Sequence, residues 1–291
     1  MRFSKRLYLF LIPGALLYFT FFILPTLGAF FYSITDWDGA NQNFNFVGLA
    51  NYIDLITNDI VFMKSLGNNL KFLLAVVIFQ TIFSLIFALI LIKNTKTNIF
   101  FRALFFFPTI LSSVSVAFIW SFIYAPSIGI LNPFLETVGL GGITQSWLGN
   151  PDIAIFSLAF VQIWFHTGQV MIIFIAGLQN VPKELYEAAT VDGAGKWQRF
   201  SKITWPLIAP STTMVVGYTI IQSFKAFDLV YAMTGGGPAF STEILVTFIY
   251  NSAFSHYQFG YASAASVILM IIVAGITMIQ FRLINRNKVE H

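Results

Sequence analysis

The sequence of 291 residues is 57% apolar or aromatic and only 10% charged, with 34 Phe and a mean hydropathy of +0.77, where an ordinary soluble domain carries about 25% charged residues. So large an apolar excess excludes a water-soluble globule and makes lipid the solvent for much of the surface. The absence of cysteine excludes disulfides, thiolate metal sites and cysteine nucleophiles, and the net charge of +4 would speak for nucleic acid only if the cations gathered on one accessible face.

A hydrocarbon core about 30 Å thick needs roughly 20 apolar residues of helix. Six runs of that kind are present: Leu7 to Ile34, Leu70 to Ile92, Ala103 to Ala125, Ile153 to Gly177, Leu207 to Phe227 and Tyr261 to Phe281. The first follows a basic start, but it is longer than a signal-peptide core and lacks an A-x-A type site, so it reads as a retained helix. In the third run Pro108 precedes Ser112, Ser113 and Ser115; proline is expected to bend the helix there while the serines satisfy freed backbone groups. The fourth sets Gln162, His166 and Gln169 at i, i+4 and i+7 on one face, with Trp164 and Phe165 alongside. Such a face either holds helices together by hydrogen bonds or lines a path for a sugar, whose hydroxyls suit amides and whose C–H face suits aromatic rings. The fifth offers Thr219, Gln222 and Ser223, with Lys225 and Asp228 at its outer end, spaced for a local ion pair. In the sixth, Ala262, Ser263, Ala264, Ala265 and Ser266 make a close-packing face suited to another membrane subunit. Lys71 and Lys225 are the only charges within the runs, near span ends where lysine snorkels.

With the N-terminus inside, the cytoplasmic side holds Arg2, Lys5, Arg6, Lys93, Lys96, Arg102, Lys183, Lys196, Arg199, Lys202, Arg282, Arg286 and Lys288, which is 13 of the 16 basic residues. That split places both termini in the cytoplasm. The pI of 9.2 therefore reflects topology, not nucleic-acid binding. Outer segments 35–69, 126–152 and 228–260 are rich in Gly, Asn, Pro and Asp, enough for turns or small surface helices but not for a separate domain. Gly235, Gly236, Gly237 and Pro238 in the last of them read as an exposed turn. The expectation is an all-α integral membrane protein, one transmembrane domain over residues 1–291, with no catalytic residue and no metal cluster.

Residues 178–206 form a longer cytoplasmic segment. Asn180, Pro182 and Glu184 resemble a helix start, with a capping side chain, a proline in the first turn and an acid at the positive dipole end. Leu185, Ala188 and Ala189 share a small apolar face. Asp192, Gly193 and Gly195 break that helix, and a second piece from Lys196 to Ile203 is expected to end at Pro206. An amphipathic hairpin on anionic headgroups is one reading, which acids at Glu184, Glu187 and Asp192 oppose. A P-loop is not encoded, because Trp197 follows Gly195-Lys196 where Ser or Thr is needed.

Glu187-Ala188-Ala189, then Gly193, Ile203 and Pro206, resemble the EAA loop of bacterial ATP-binding-cassette importer permeases, with Trp205 standing where that family has leucine. The extended stretch YEAATVDGAG, with Thr234-Gly235-Gly236-Gly237-Pro238, is similar to the carbohydrate-uptake branch. The resemblance implies that the loop is a coupling helix docking on a separate ATPase, with Glu184, Glu187, Ala188, Ala189, Asp192 and Gly193 as its residues. It implies as partners a second homologous permease, two ATPase subunits that use ATP and Mg²⁺, and an extracytoplasmic sugar-binding protein. The membrane is then the bacterial inner membrane, and the cargo a carbohydrate, an oligosaccharide by size class. Ser113, Gln162, Phe165, His166, Gln169, Thr219 and Ser223 match regions lining the midplane cavity of sugar permeases, and the glycine-rich turn matches an element near the outer gate. The rival readings are a proton-coupled secondary sugar transporter, with His166 as the titrating group, and a membrane scaffold.

Overall fold

The computed structural model describes residues 10–286. The predicted start of the first span at Leu7 and the basic residues Arg2, Lys5, Arg6 and Lys288 lie outside the described residues. Among the described residues all regular structure is helical, and the one strand-like pairing is an isolated antiparallel bridge between Thr35 and Phe46. Four helices are long and apolar enough to cross a membrane, and two bent pairs could each supply another crossing.

One compact unit comprises residues up to Met63 with Phe248–Ile272. Helix α1, Ile12–Tyr32, contains a π turn at Phe19–Ile23 and buries none of its residues within the chain. Its connection to α2, Ala50–Thr57, is pinned by side chains: Asn51 Nδ2 donates to the carbonyls of Ser33 and Thr35, both at 2.9 Å, and Tyr52 donates to Ser33 Oγ at 2.7 Å. Asp36 accepts from the Asn45 side chain at 2.9 Å and from its backbone N–H at 2.6 Å, which holds the carboxyl below the usual carboxylate range. Helix α12, Leu245–Tyr250, runs on as a π turn over Asn251–Ser255.

The other unit comprises Lys64–Thr247 and the chain from Val273. Its second-span helix, α3, runs Ile60–Leu91, not from Leu70. The polar stretch Lys64, Ser65, Asn68 and Asn69 belongs to the helix, because a helical backbone satisfies itself on both sides of the lipid boundary while hydropathy registers only the lipid part. Asn68 Nδ2 donates to the carbonyls of Phe240 and Glu243, at 2.9 and 3.0 Å, and Asn69 Oδ1 accepts from Leu245 N–H at 3.2 Å. At the other end the Arg102 guanidinium donates to the carbonyls of Leu91, Ile92 and Lys93, satisfying acceptors that α3 leaves open.

The third predicted span is not one rod. Helix α4, Lys96–Phe106, tightens into a 3₁₀ turn over Phe107–Ile110, and α5, Ser113–Ile123, departs at 99°. The break falls at Leu111 and Ser112, both extended with ψ of 154° and 137°, rather than at Pro108, which starts the 3₁₀ turn. Ser112 caps nothing with its side chain. Among the short connecting helices is α6, Leu131–Thr137.

Helix α7, Ala154–Gln179, is the centre of this unit, with most of its residues buried. Its residues enter three packed clusters, around Phe174 and Ile208, around Phe72 and Leu158, and around Val116 and Phe165. Lipid supplies no hydrophobic drive between helices, so close approach at small residues carries the packing. Gly168 is the extreme case: an added Cβ would overlap the backbone of Phe105 and Phe106. Gly168→Ala should lower stability by about 1–3 kcal/mol, read as the thermal midpoint in detergent. Gly275→Ala, which meets nothing within 4 Å, should raise that midpoint or leave it, since helical Gly costs up to about 1 kcal/mol relative to Ala.

The cytoplasmic-loop prediction of helix, turn and helix holds as α8, Lys183–Val191, and α9, Lys196–Leu207, the latter with a π turn at Phe200–Thr204. Two details differ. Asn180 ends α7 instead of capping α8, whose N-cap position is Pro182 with no side-chain cap. Pro206 lies inside α9, where the preceding π turn accommodates its missing N–H, and the chain bends by 66° at Ile208 into α10, Ala209–Phe224. After a break at Lys225 and Ala226 comes α11, Phe227–Thr234, and the last helix is α13, Phe259–Arg286.

Candidate functional site

The breaks at Leu111–Ser112 and Lys225–Ala226 leave a polar cavity of about 460 Å³ against α7, within the range of small-ligand sites. Gln162, Phe165 and His166 form its α7 wall, Tyr218, Ile221, Gln222 and Lys225 its α10 wall, and Ser113, Asp228 and Leu229 come from the first turns of α5 and α11. Gln162 is 3% exposed, and its side-chain amide hydrogen-bonds no protein group among the described residues. An amide that lines a cavity without a protein partner takes its hydrogen bonds from water or from a polar ligand there, so this wall suits a polar occupant. His166 Nδ1 lies 3.3 Å from the Gln162 carbonyl, and its ring packs 4.2 Å from that of Phe165. Gln222 Nε2 donates to the Tyr218 hydroxyl at 3.3 Å.

Of the residues predicted for the pathway, Ser113, Gln162, Phe165 and His166 come together here. Gln169 is half-buried and off the cavity wall, while Thr219 and Ser223 are fully buried, with Ser223 Oγ donating to the Thr219 carbonyl at 2.8 Å. Tyr218, Gln222 and Lys225 stand in their place; their i, i+4, i+7 spacing is the signal that would have found them. The predicted Lys225–Asp228 ion pair is not formed. Asp228 instead accepts a hydrogen bond from Ser113 Oγ at 3.1 Å, because the chain breaks at Lys225 and the two residues never share a helical face.

A second cavity, of about 680 Å³ between Trp120, Trp147, Phe156 and Phe160, has a wall almost wholly apolar, with Gln145 and Ser157 its uncharged polar exceptions. It gives a polyol few partners.

The loop helix α8 buries none of its residues, yet it is firmly ended. Gly193 takes φ +72°, its N–H meets the Thr190 carbonyl at 3.1 Å, and Ala194 N–H meets the Ala189 carbonyl at 2.8 Å. This is a Schellman closure. Gln198 Oε1 accepts from Gly195 N–H at 2.8 Å, and the Tyr186 and Thr204 hydroxyls, 2.9 Å apart, tie α8 to α9. Glu184, Glu187, Ala188 and Asp192 are exposed and Ala189 is half-buried. Val191 and Trp197, 88% and 74% exposed, are apolar side chains at the hairpin tip that the motif alone does not single out; apolar residues flanking a Gly-rich turn in a polar loop are the signal.

The Gly235–Pro238 turn is more enclosed than the sequence reading expected. Gly235 ends α11 in the left-handed region, Gly236 has φ +92°, and the Gly237–Pro238 bond is cis. Gly236 is buried, and its hydrogen faces the carboxylate of Glu243, itself 2% exposed.

A family model described as binding-protein-dependent transport system inner membrane component matches residues 71–289. Over 97% of both chains the sequence is 37% identical to the probable ABC transporter permease protein YurN of Bacillus subtilis. It is also 37% identical, over 96% of this chain and 95% of the other, to the multiple sugar-binding transport system permease protein MsmF of Streptococcus mutans. A crystal structure of a bacterial alginate ABC transporter, in complex with an alginate pentasaccharide-bound periplasmic protein, contains a chain of the same fold. It aligns with a TM-score of 0.84 and 21% identity over 98% of this chain and 96% of that one.

Proposed function

The chain belongs to the family of binding-protein-dependent transport system inner membrane components, and from that premise we propose that it is the permease subunit of an ATP-driven importer of a carbohydrate, an oligosaccharide by size class. Family membership sets aside the proton-coupled reading, and His166 then serves as a cavity wall group, not a proton carrier. The observation that carries the substrate class is the cavity wall itself. Two amides, an imidazole, a phenol and a hydroxyl face one cavity beside the Phe165 ring, with the Gln162 amide buried and unsatisfied by protein, a set that fits sugar hydroxyls. The name of the Streptococcus mutans relative, a multiple sugar-binding system, supports the same class.

In this reading α1, α3, α4 with α5, α7, α9 with α10, and α13 make six crossings of one domain with both termini in the cytoplasm of a bacterial cell. Helix α8 is the coupling helix, presenting Glu184, Glu187, Ala188, Ala189, Asp192 and Gly193 to an ATPase subunit. The glycine turn at Gly235–Pro238 lies outside, near a docked binding protein. Hydrolysis of ATP and its Mg²⁺ belong to two ATPase subunits, and a second permease completes the pathway. Closure of the ATPases moves α8, and the cavity exchanges access from outside to inside.

The test is reconstitution of the whole importer, purified with its native partners, and transport of radiolabelled sugar. Gln162→Leu should raise the KM for sugar about tenfold or more, since about 1.4 kcal/mol of hydrogen bonding is lost, with basal ATPase activity retained. An unchanged KM would remove the cavity from the pathway, and purification without an ATPase partner would overturn the importer.

A further inference from the structure

The cavity holds one fixed anion at a place that physics makes suitable for one. Helix α5 has 11 residues and α11 has 8, and each presents its N-terminal turn to the cavity through Ser113 and Asp228. Ser112 and Ala226, the two N-cap residues, supply no side-chain cap, so first-turn N–H groups of both helices carry their partial positive charge toward this junction. The Lys225 ammonium stands on the same wall. Asp228, in the first turn of α11, answers this positive field and is steered by Ser113 Oγ at 3.1 Å. Independently, Gln162, 3% exposed and without a protein partner, marks the same cavity as one that receives a ligand.

We propose that Asp228 is a built-in counter-anion that sets the charge class of the cargo: with it in place the charge of Lys225 is offset, the position between the two helix ends is taken and the cavity selects an uncharged sugar, and without it the same cavity accepts a uronate. The inference rests on the cavity being the carbohydrate pathway. A hydroxyl brings no charge and meets the amides of Gln162 and Gln222. Asp228 and Lys225 are exposed on the cavity wall, and a sugar carboxylate entering within about 4 Å of Asp228 meets a like-charge repulsion of about 1 kcal/mol in water and about 4 kcal/mol near a protein surface. The two oxygens of Asp228 thus occupy the position that a cargo carboxylate would otherwise take.

The chain has no cysteine, so Ile221→Cys on the cavity wall gives a single thiol on this subunit, and its labelling by a neutral maleimide, read by intact mass, reports occupancy. The assembled importer is labelled with glucose, galactose and mannose, and with glucuronate, galacturonate and mannuronate, each at high millimolar concentration. With Asp228 present, protection is expected from at least one neutral hexose and from no uronate. In Asp228→Asn the ratio of uronate to hexose protection should rise by roughly tenfold or more, and adding Lys225→Met should abolish that rise. Ser113→Ala, which keeps the aspartate charge, should leave the ratio where it began. A ratio unchanged in Asp228→Asn, with a hexose still protecting, overturns the counter-anion while the pathway stands. Protection by no sugar in any background overturns the pathway reading, and the inference falls with it. A rise of the same size in Ser113→Ala would show that geometry, not charge, governs the selection, and would also overturn it.

Discussion

An importer carrying Glu187→Lys should insert in the membrane and keep its thermal midpoint, yet lose sugar uptake by roughly a hundredfold or more. The reason lies in what Glu187 does not do within its own chain. It is exposed on α8, a helix without a buried residue, and its carboxylate has no partner among the described residues. Removing it costs the isolated permease almost nothing, as is usual for surface positions. In the proposed docking, reversing its charge opposite a partner's cation should cost about 3–5 kcal/mol, the usual penalty for breaking a desolvated pair. Ala188 is exposed and small beside it, which allows a facing helix to approach closely. The measurement is a pair of assays on the same purified preparation: retention of the ATPase subunits through size exclusion, and uptake in proteoliposomes. Lost uptake with a normally folded permease supports the docking assignment; full uptake with the lysine in place would remove Glu187 from the interface.

Gly236→Ala should destabilise the protein by about 3 kcal/mol or more. Two penalties coincide there. The backbone at φ +92° suits glycine alone, and the added Cβ would overlap Glu243 Oε2. The carboxylate has little room to retreat, because Glu243 is 2% exposed and its own carbonyl receives Asn68 Nδ2. The loop around it is tied again where the Thr234 and Thr242 hydroxyls meet at 2.8 Å and where Thr242 N–H reaches the Gly236 carbonyl at 3.3 Å. Gly235→Ala is the matched comparison. It shares a positive φ, but the nearest atom to its added Cβ is the Tyr231 carbonyl oxygen at 3.9 Å, so it should cost only about 1 kcal/mol. Thermal midpoints of the two variants in one detergent decide the matter; equal shifts would mean that backbone strain, and not the Glu243 contact, governs the turn.

These contrasts also explain what could be read from residue order. Apolar runs located the membrane helices because lipid contact demands them at every turn, and the loop hairpin was legible because Asp192, Gly193 and Gly195 punctuate it. Hydropathy was blind where a helix continued into water, as α3 does through Lys64, Asn68 and Asn69. It was blind again to the turn at Leu111–Ser112, since Pro108 offered a louder local signal than two residues with ordinary extended dihedrals. The cavity was half legible. Gln162 and His166 betrayed it, because amide and imidazole are expensive in lipid. On α10, however, polar residues occur on both faces, and only the packing separates Thr219 and Ser223, which turn into the packed interior where Ser223 Oγ donates to the Thr219 carbonyl, from Tyr218 and Gln222, which face open space. Lys225 and Asp228 were misjudged as an ion pair because their spacing fits a continuous helix, and the chain breaks between them.

Helix α1 buries none of its 21 residues within its own chain. At 1.5 Å per residue it is about 31 Å long, nearly the thickness of the hydrocarbon it crosses in our reading. Its preferred tilt is then set by hydrophobic mismatch, increasing as acyl chains shorten, with the bilayer yielding around it as they lengthen. Helix α7, walled by side chains over most of its length, has no such freedom. Acyl chain length therefore becomes a mechanical input to this protein, acting on a helix that carries no pathway residue and sparing the one that does.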